Sequence, residues 1–241
     1  MNRYKAGLTH LSLSAVVLTI SLGFILSIWY PGFYVEVEGL VPILAILLAV
    51  DLILGPLITL IIYKKGKPRL KLDLCIIVSV QLAALFYGCF SMYEARPTYL
   101  VYTGKDFHVV RSVDVIQDQL EAISDESLLT STFESPTWIY AIGESPAIAK
   151  FMAGKLLVLS PVYYNEFEEK FDFSQTQGVP VEELFLPGAG LAMLDEIYIK
   201  QKTTADDYFY IPVLGKTKKM LMLMHKSDKT HQVIDAFALA S

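Results

Sequence analysis

Three long apolar stretches, nearly empty of charge, limit what the first hundred residues can become. No charged residue occurs between Lys5 and Glu36, only Asp51 interrupts the run from Glu38 to Lys64, and none lies between Asp73 and Glu94. A helix rising about 1.5 Å per residue needs about 20 apolar residues to cross roughly 30 Å of hydrocarbon, and each stretch provides them. Backbone polar groups in lipid must be satisfied internally, so these segments are expected as membrane-spanning α-helices at about 8–30, 40–63 and 72–93. The first has a basic start, Arg3 and Lys5, as a secretory leader would. Its apolar run is too long for one, however, and ends in Trp29-Tyr30-Pro31-Gly32 without a small-residue cleavage site, which reads as an uncleaved span.

Charge then orients the spans. Residues 64–71 read Lys64-Lys65-Gly66-Lys67-Pro68-Arg69-Leu70-Lys71, whereas the other short connection, residues 31–39, holds Glu36 and Glu38 and no Lys or Arg. The positive-inside bias places the N-terminus and the basic loop in the cytoplasm, and everything after Tyr93 outside it. Trp29, Tyr30, Phe33, Tyr34, Tyr87 and Tyr93 fall near the expected membrane boundaries, where amphipathic rings are favoured. Besides setting topology, a basic patch such as Lys64, Lys65, Lys67, Arg69 and Lys71 offers contacts to anionic lipid or to a cytoplasmic motor.

Asp51 stands near the middle of the second stretch. A carboxylate at that depth costs at least about 2.5 kcal/mol, so it must face a protein neighbour, find a partner or carry a proton. Thr19 and Gln81 lie at similar depth, and a Thr19, Asp51, Gln81 layer would let hydroxyl and amide donate to the carboxylate. Gly55 lies one turn along from Asp51. Pro56 cannot donate to the carbonyl of Leu52, which predicts a kink, and Ala84 and Gly88 form a small-residue pair on the third span. Three readings follow: a packing clamp inside the protein, a docking point for the transmembrane helix of another protein, or a path for protons or ions. A lone acid with no second buried partner serves the third poorly.

After Arg96-Pro97 the pattern changes to short alternating runs separated by turn residues. This divides the chain into a membrane unit, residues 1–96, and an external domain, residues 97–241. Thr98–Tyr102 and Phe107–Arg111 read as a hairpin, Val113–Ile123 as a helix and Thr137–Ile142 as a strand. Ala147–Leu159, Val181–Leu186 and Gly190–Lys200 read as helices. Tyr208–Val213, Met220–His225 and Gln232–Leu239 read as an antiparallel meander. The fold class expected is therefore three N-terminal transmembrane helices followed by a small α+β domain with antiparallel strands.

Few catalytic patterns are available to that domain. It carries 12 basic and 20 acidic residues, a balance of −8, which disfavours nucleic acid as a partner. His10, His108, His225 and His231 lack zinc-ligand spacing, and Cys75 and Cys89 stand about 21 Å apart along one helix, too far for a disulfide. There is no nucleophile elbow, phosphate loop or dinucleotide turn, and no metal or cofactor is expected. Asp206-Asp207 and the group Glu166, Glu168, Glu169 are candidates for a divalent cation but read better as solvated surface. Tyr163, Tyr164 and Phe167 read as core or as an aromatic contact patch.

Several segments resemble a known family. The start Arg3-Tyr4-Lys5-Ala6, the run Val50-Asp51-Leu52-Ile53-Leu54-Gly55-Pro56-Leu57, the segments Lys71-Leu72-Asp73-Leu74 and Val80-Gln81-Leu82-Ala83-Ala84-Leu85-Phe86-Tyr87-Gly88, and Glu94-Ala95-Arg96-Pro97 are similar to the type IV pilin accessory proteins of the TfpX/TfpZ type. The likeness covers residues 3–97, and Tyr210-Ile211-Pro212-Val213-Leu214-Gly215 resembles a late turn of that family. It implies a non-enzymatic helper of type IV pilus biogenesis in a Gram-negative inner membrane, with the major pilin and other inner-membrane pilus machinery as partners. On this reading Asp51 and a groove of Gly55, Ala84 and Gly88 would hold the apolar helix of a pilin whose globular head meets the periplasmic domain. A membrane-anchored pilin-modifying enzyme and a sensor of envelope state are the rival readings.

Overall fold

The computed structural model describes residues 2–115, 131–141 and 179–238, together with the backbone of residues 164–166. It comprises two compact units: residues 1–35 with 40–96, and residues 36–39 with 97–241.

In the membrane unit, helix α1 (Arg3–Phe24) starts on Asn2, whose side chain accepts the Lys5 N–H at 2.8 Å, and runs into a π turn, Ile25–Trp29. A one-turn helix α2 (Tyr34–Val37) leads to the second span, built of α3 (Val41–Leu48), a π turn (Ala49–Leu54) and α4 (Gly55–Ile62). The third span is α5 (Leu70–Glu94). Three helices thus have the length and apolarity to cross a membrane, Arg3–Trp29, Val41–Ile62 and Leu70–Glu94, and the protein is a multi-pass membrane protein. Pro56 explains the wide turn. It has no N–H for the Leu52 carbonyl and its ring crowds that oxygen, and a π turn ending at Leu54, with Gly55 N–H reaching back to the Val50 carbonyl, absorbs the misfit.

The first and third spans each pack mainly on the second. At the Trp29 end they also meet each other. Trp29 lies 5.3 Å from the Tyr93 ring and the Tyr30 hydroxyl donates to the Met92 carbonyl at 3.0 Å. Midway, Leu18, Leu47 and Leu85, one from each span, form a shared apolar cluster.

Among the described residues the domain is built on a seven-stranded mixed sheet of order β4-β3-β1-β2-β5-β6-β7. β1 (Pro97–Tyr102) is buried along its whole length, as a central strand with both faces covered should be. It pairs antiparallel with β2 (Phe107–Arg111) and parallel with β3 (Thr137–Ala141), whose other edge takes β4 (Tyr164–Glu166). β2 pairs in parallel with β5 (Tyr208–Leu214), which opens the antiparallel meander with β6 (Lys219–His225) and β7 (His231–Ile234). Helix α6 (Gly188–Gln201) buries Leu194 against Tyr208, Tyr210, Leu221 and Leu223, and a Cβ at Gly190 would come within 2.0 Å of the Ala236 carbonyl oxygen.

The hairpin and the first two strands of the meander form at the expected residues, the third is shorter than the expected 232–239 and ends at Ile234, and two parallel pairs, invisible in local alternation, join them into one sheet. The expected helix at Val181–Leu186 is a shorter 3-10 turn, Val181–Leu184. Another 3-10 turn, Ser112–Asp114, stands at the start of the helix expected over 113–123, whose residues from 116 on lie outside those described, as does the helix expected at 147–159.

The expected unit boundary differs at four residues. Glu36–Gly39, between the first two spans, belong to the domain. The backbone N–H groups of Thr217 and Lys218 donate to the Val37 carbonyl at 3.1 and 3.3 Å, and Lys218 Nζ lies 3.3 Å from a Glu36 carboxylate oxygen. Gly39, at φ +72°, and Gly215 make the fit possible: a Cβ on the first would fall 2.5 Å from the Thr217 methyl, and one on the second 2.6 Å from Val37.

Candidate functional site

The site begins with Asp51, held by the π turn of the second span and only 6% exposed. Gln81 of α5 donates through Nε2 to Asp51 Oδ1 at 3.2 Å. Gly55 clears the way: the Gln81 amide lies over it so closely that a Cβ would stand 2.0 Å from Nε2. A second polar pair lies further toward Ile62. Thr59 Oγ1 is 2.6 Å from His10 Nδ1 on α1, where Gly7 brings the helices close and a Cβ would lie 3.5 Å from the Pro56 carbonyl. Two hydrogen-bonded pairs therefore tie the second span to its neighbours, one on each side.

A cleft of about 430 Å³ lies between α1 and α5, walled by Ala6, Leu13 and Val17 on one side and Leu74, Val78 and Leu82 on the other. Asp51, Gln81, His10 and Thr59 reach its lining. Its chemistry is apolar walls around a small polar patch, the pattern that orients a largely apolar occupant through few hydrogen bonds.

The residues singled out by sequence are distributed differently from the expected layer and groove. Asp51, Gln81, Gly55 and Pro56 come together. Thr19 does not join them: it is exposed, and its hydroxyl donates to the Ala15 carbonyl one turn back at 2.8 Å. That bond is the usual local alternative for a threonine whose helix face has no polar neighbour. Gly88 faces the second span, where a Cβ would meet Leu47 Cδ1 at 2.8 Å, while Ala84 is exposed. The small residues thus divide between internal packing and an outer face, because positions four apart are offset by about 40° around a helix of 3.6 residues per turn. His10 and Thr59 were missed; a histidine inside an apolar span is itself the signal that would have found them.

In the basic loop Lys67 pairs with Asp73 at 2.7 Å, and Lys64, Lys65, Arg69 and Lys71 are exposed. In the domain, Asp207 accepts from the N–H and hydroxyl of Thr204 at 2.7 and 3.0 Å and so caps a turn. Asp206 lines a hollow of about 220 Å³ with Glu182 and Lys226. Among the described residues there is no group of three or more metal-ligating side chains. The side chains of Tyr163, Tyr164, Glu166, Phe167, Glu168 and Glu169 lie outside those described.

Glu38 is the buried acid among the described residues of the domain. It is nine-tenths buried and accepts the Lys216 N–H at 3.1 Å, while its other oxygen has no hydrogen-bond partner among the described residues. Burial pushes its carboxyl above the usual carboxylate range, opposed by the Lys216 amide and the Arg111 charge and reinforced by Asp114.

Fold and site define a three-span membrane protein with an attached mixed-sheet domain and a polar patch inside its spans. The chain is 24% identical to the fimbrial assembly protein of serogroup I of Dichelobacter nodosus over 95% of its own length and 94% of the relative's, and equally so to that of serogroup E1. It is 32% identical to the fimbrial assembly protein of serogroups C1 and C2 over 46% of this chain and 86% of that relative. The chain belongs to this family of fimbrial assembly proteins. No family model matches it, and no solved structure does.

Proposed function

We propose that the protein is a non-catalytic factor of type IV pilus biogenesis in a bacterial inner membrane, which holds pilin by its membrane helix before assembly. The observation that carries the reading is the extent of the likeness to fimbrial assembly proteins, which runs through the membrane unit and the domain alike. The N-terminus and the basic loop lie in the cytoplasm and the domain in the periplasm, in keeping with five basic residues between the second and third spans and none in the first connection. The domain meets the globular head of the pilin while Asp51 and its neighbours engage the helix.

Substituting Asp51 by Leu in the chromosome and scoring both the level of the protein and the number of pili tests the reading. Normal level with lost piliation is the expected outcome. Loss of the protein itself assigns Asp51 to packing, and full piliation at normal level overturns any role for it. Intact-mass measurement of pilin from cells with and without the chain should give one value; a difference would make the protein a modifying enzyme instead.

A further inference from the structure

The first and third spans touch near Trp29 and Tyr93 and again at Leu18 and Leu85, then part. Below that point the wall of α1 runs from Val17 back to Ala6, about three turns, and faces Leu74–Leu82 of α5 across the cleft. This end adjoins the basic loop, since α1 begins, α4 ends and α5 begins there. The open half of the unit therefore lies in the leaflet next to Lys64–Lys71.

Two acceptors of this polar patch are short of donors. Gln81 Oε1 is buried without a hydrogen-bond partner among the described residues, and Asp51 receives a single hydrogen bond there, from Gln81. Gln81 is itself nine-tenths buried and lines the cleft. In hydrocarbon an unsatisfied polar group is costly, and an acyl chain offers it nothing. We propose that the cleft between the first and third spans docks one transmembrane helix from another protein, and that this helix carries a hydrogen-bond donor, a hydroxyl, amide or ammonium, on its inserted face. The proposal rests on the reading of the chain as a handler of membrane-embedded subunits, and moves the contact from the Gly55, Ala84 and Gly88 face to the α1/α5 cleft. Leu13 and Leu82, about half exposed or more, are the apolar surface such a helix would cover.

The test uses the full chain in nanodiscs and two synthetic transmembrane peptides, a polyleucine helix and the same helix with one central asparagine, with association read by energy transfer. The asparagine peptide should bind roughly three- to thirty-fold more tightly, the range of one interhelical hydrogen bond in a bilayer. The double variant Asp51→Leu, Gln81→Leu should erase that preference. Ser14→Trp, which narrows the cleft from the α1 wall, should weaken both peptides, and Ala84→Leu on the outer face should change neither. Equal binding of the two peptides, indifference to Ser14→Trp, or displacement of lipid alone overturns the docking site. Normal pilus numbers in a strain lacking the chain would overturn the pilus role while leaving peptide preference intact, so the two failures are separable.

Discussion

At the scale of single residues the protein spends its glycines on close approaches to polar groups. Gly55 exists so that an amide can cross it to Asp51, and Gly39 and Gly215 so that the connection between two spans can seat on the β5–β6 turn. Glu38, buried within that seat, has a pH consequence. Its carboxyl is raised in the folded protein, so the fold binds the proton more tightly than the unfolded chain does. Stability is then highest below the ordinary glutamate value and falls as pH rises through the raised one, with the loss complete above it. Hydrogen exchange at the Thr217 and Lys218 amides, corrected for intrinsic rate, should show protection falling from about pH 4.3 upward. Glu38→Gln, which keeps an acceptor for Lys216, should be better protected at neutral pH and flat across the range. A parallel slope in both proteins would assign the effect to another group.

At the scale of elements, the second span is the organiser, and its π turn sets which way Asp51 points. Pro56→Ala should restore a donor for the Leu52 carbonyl, let the helix close to ordinary α geometry and swing Asp51 about 100° relative to α4. In a chain freed of Cys75 and Cys89, cysteines at positions 51 and 81 should crosslink readily with Pro56 present and several-fold more slowly with alanine there. Unchanged crosslinking would show that packing, not proline, holds the turn. Much at this scale was legible in sequence. The spans, the hairpin at Thr103–Asp106 and the meander from Tyr208 are local patterns of hydropathy and turn residues. The parallel pairs β1/β3 and β2/β5 were not, because their partners are separated by long connections and alternation within a strand says nothing of its neighbour's direction.

At the scale of the whole molecule, sidedness is the property on which the functional reading stands. Alkaline phosphatase fused after Ser241 should be active in cells and the same enzyme fused at Gly66 inactive; the reverse pattern would place the domain in the cytoplasm and end any meeting with pilin heads. Sequence alone determined that three helices cross a membrane, that an acid sits within one of them and that strands follow, since each depends on residues near one another in the chain. Tertiary structure decided the rest: that His10 and Thr59 accompany Asp51 and Gln81 while Thr19 turns to its own backbone, that Gly88 is taken up by internal packing, and that residues 36–39 belong to the domain. The physical reason is common to all three. Which side chains meet depends on how far each helix is rotated about its axis and on which loop reaches which turn, and those angles are set by packing between segments distant in sequence.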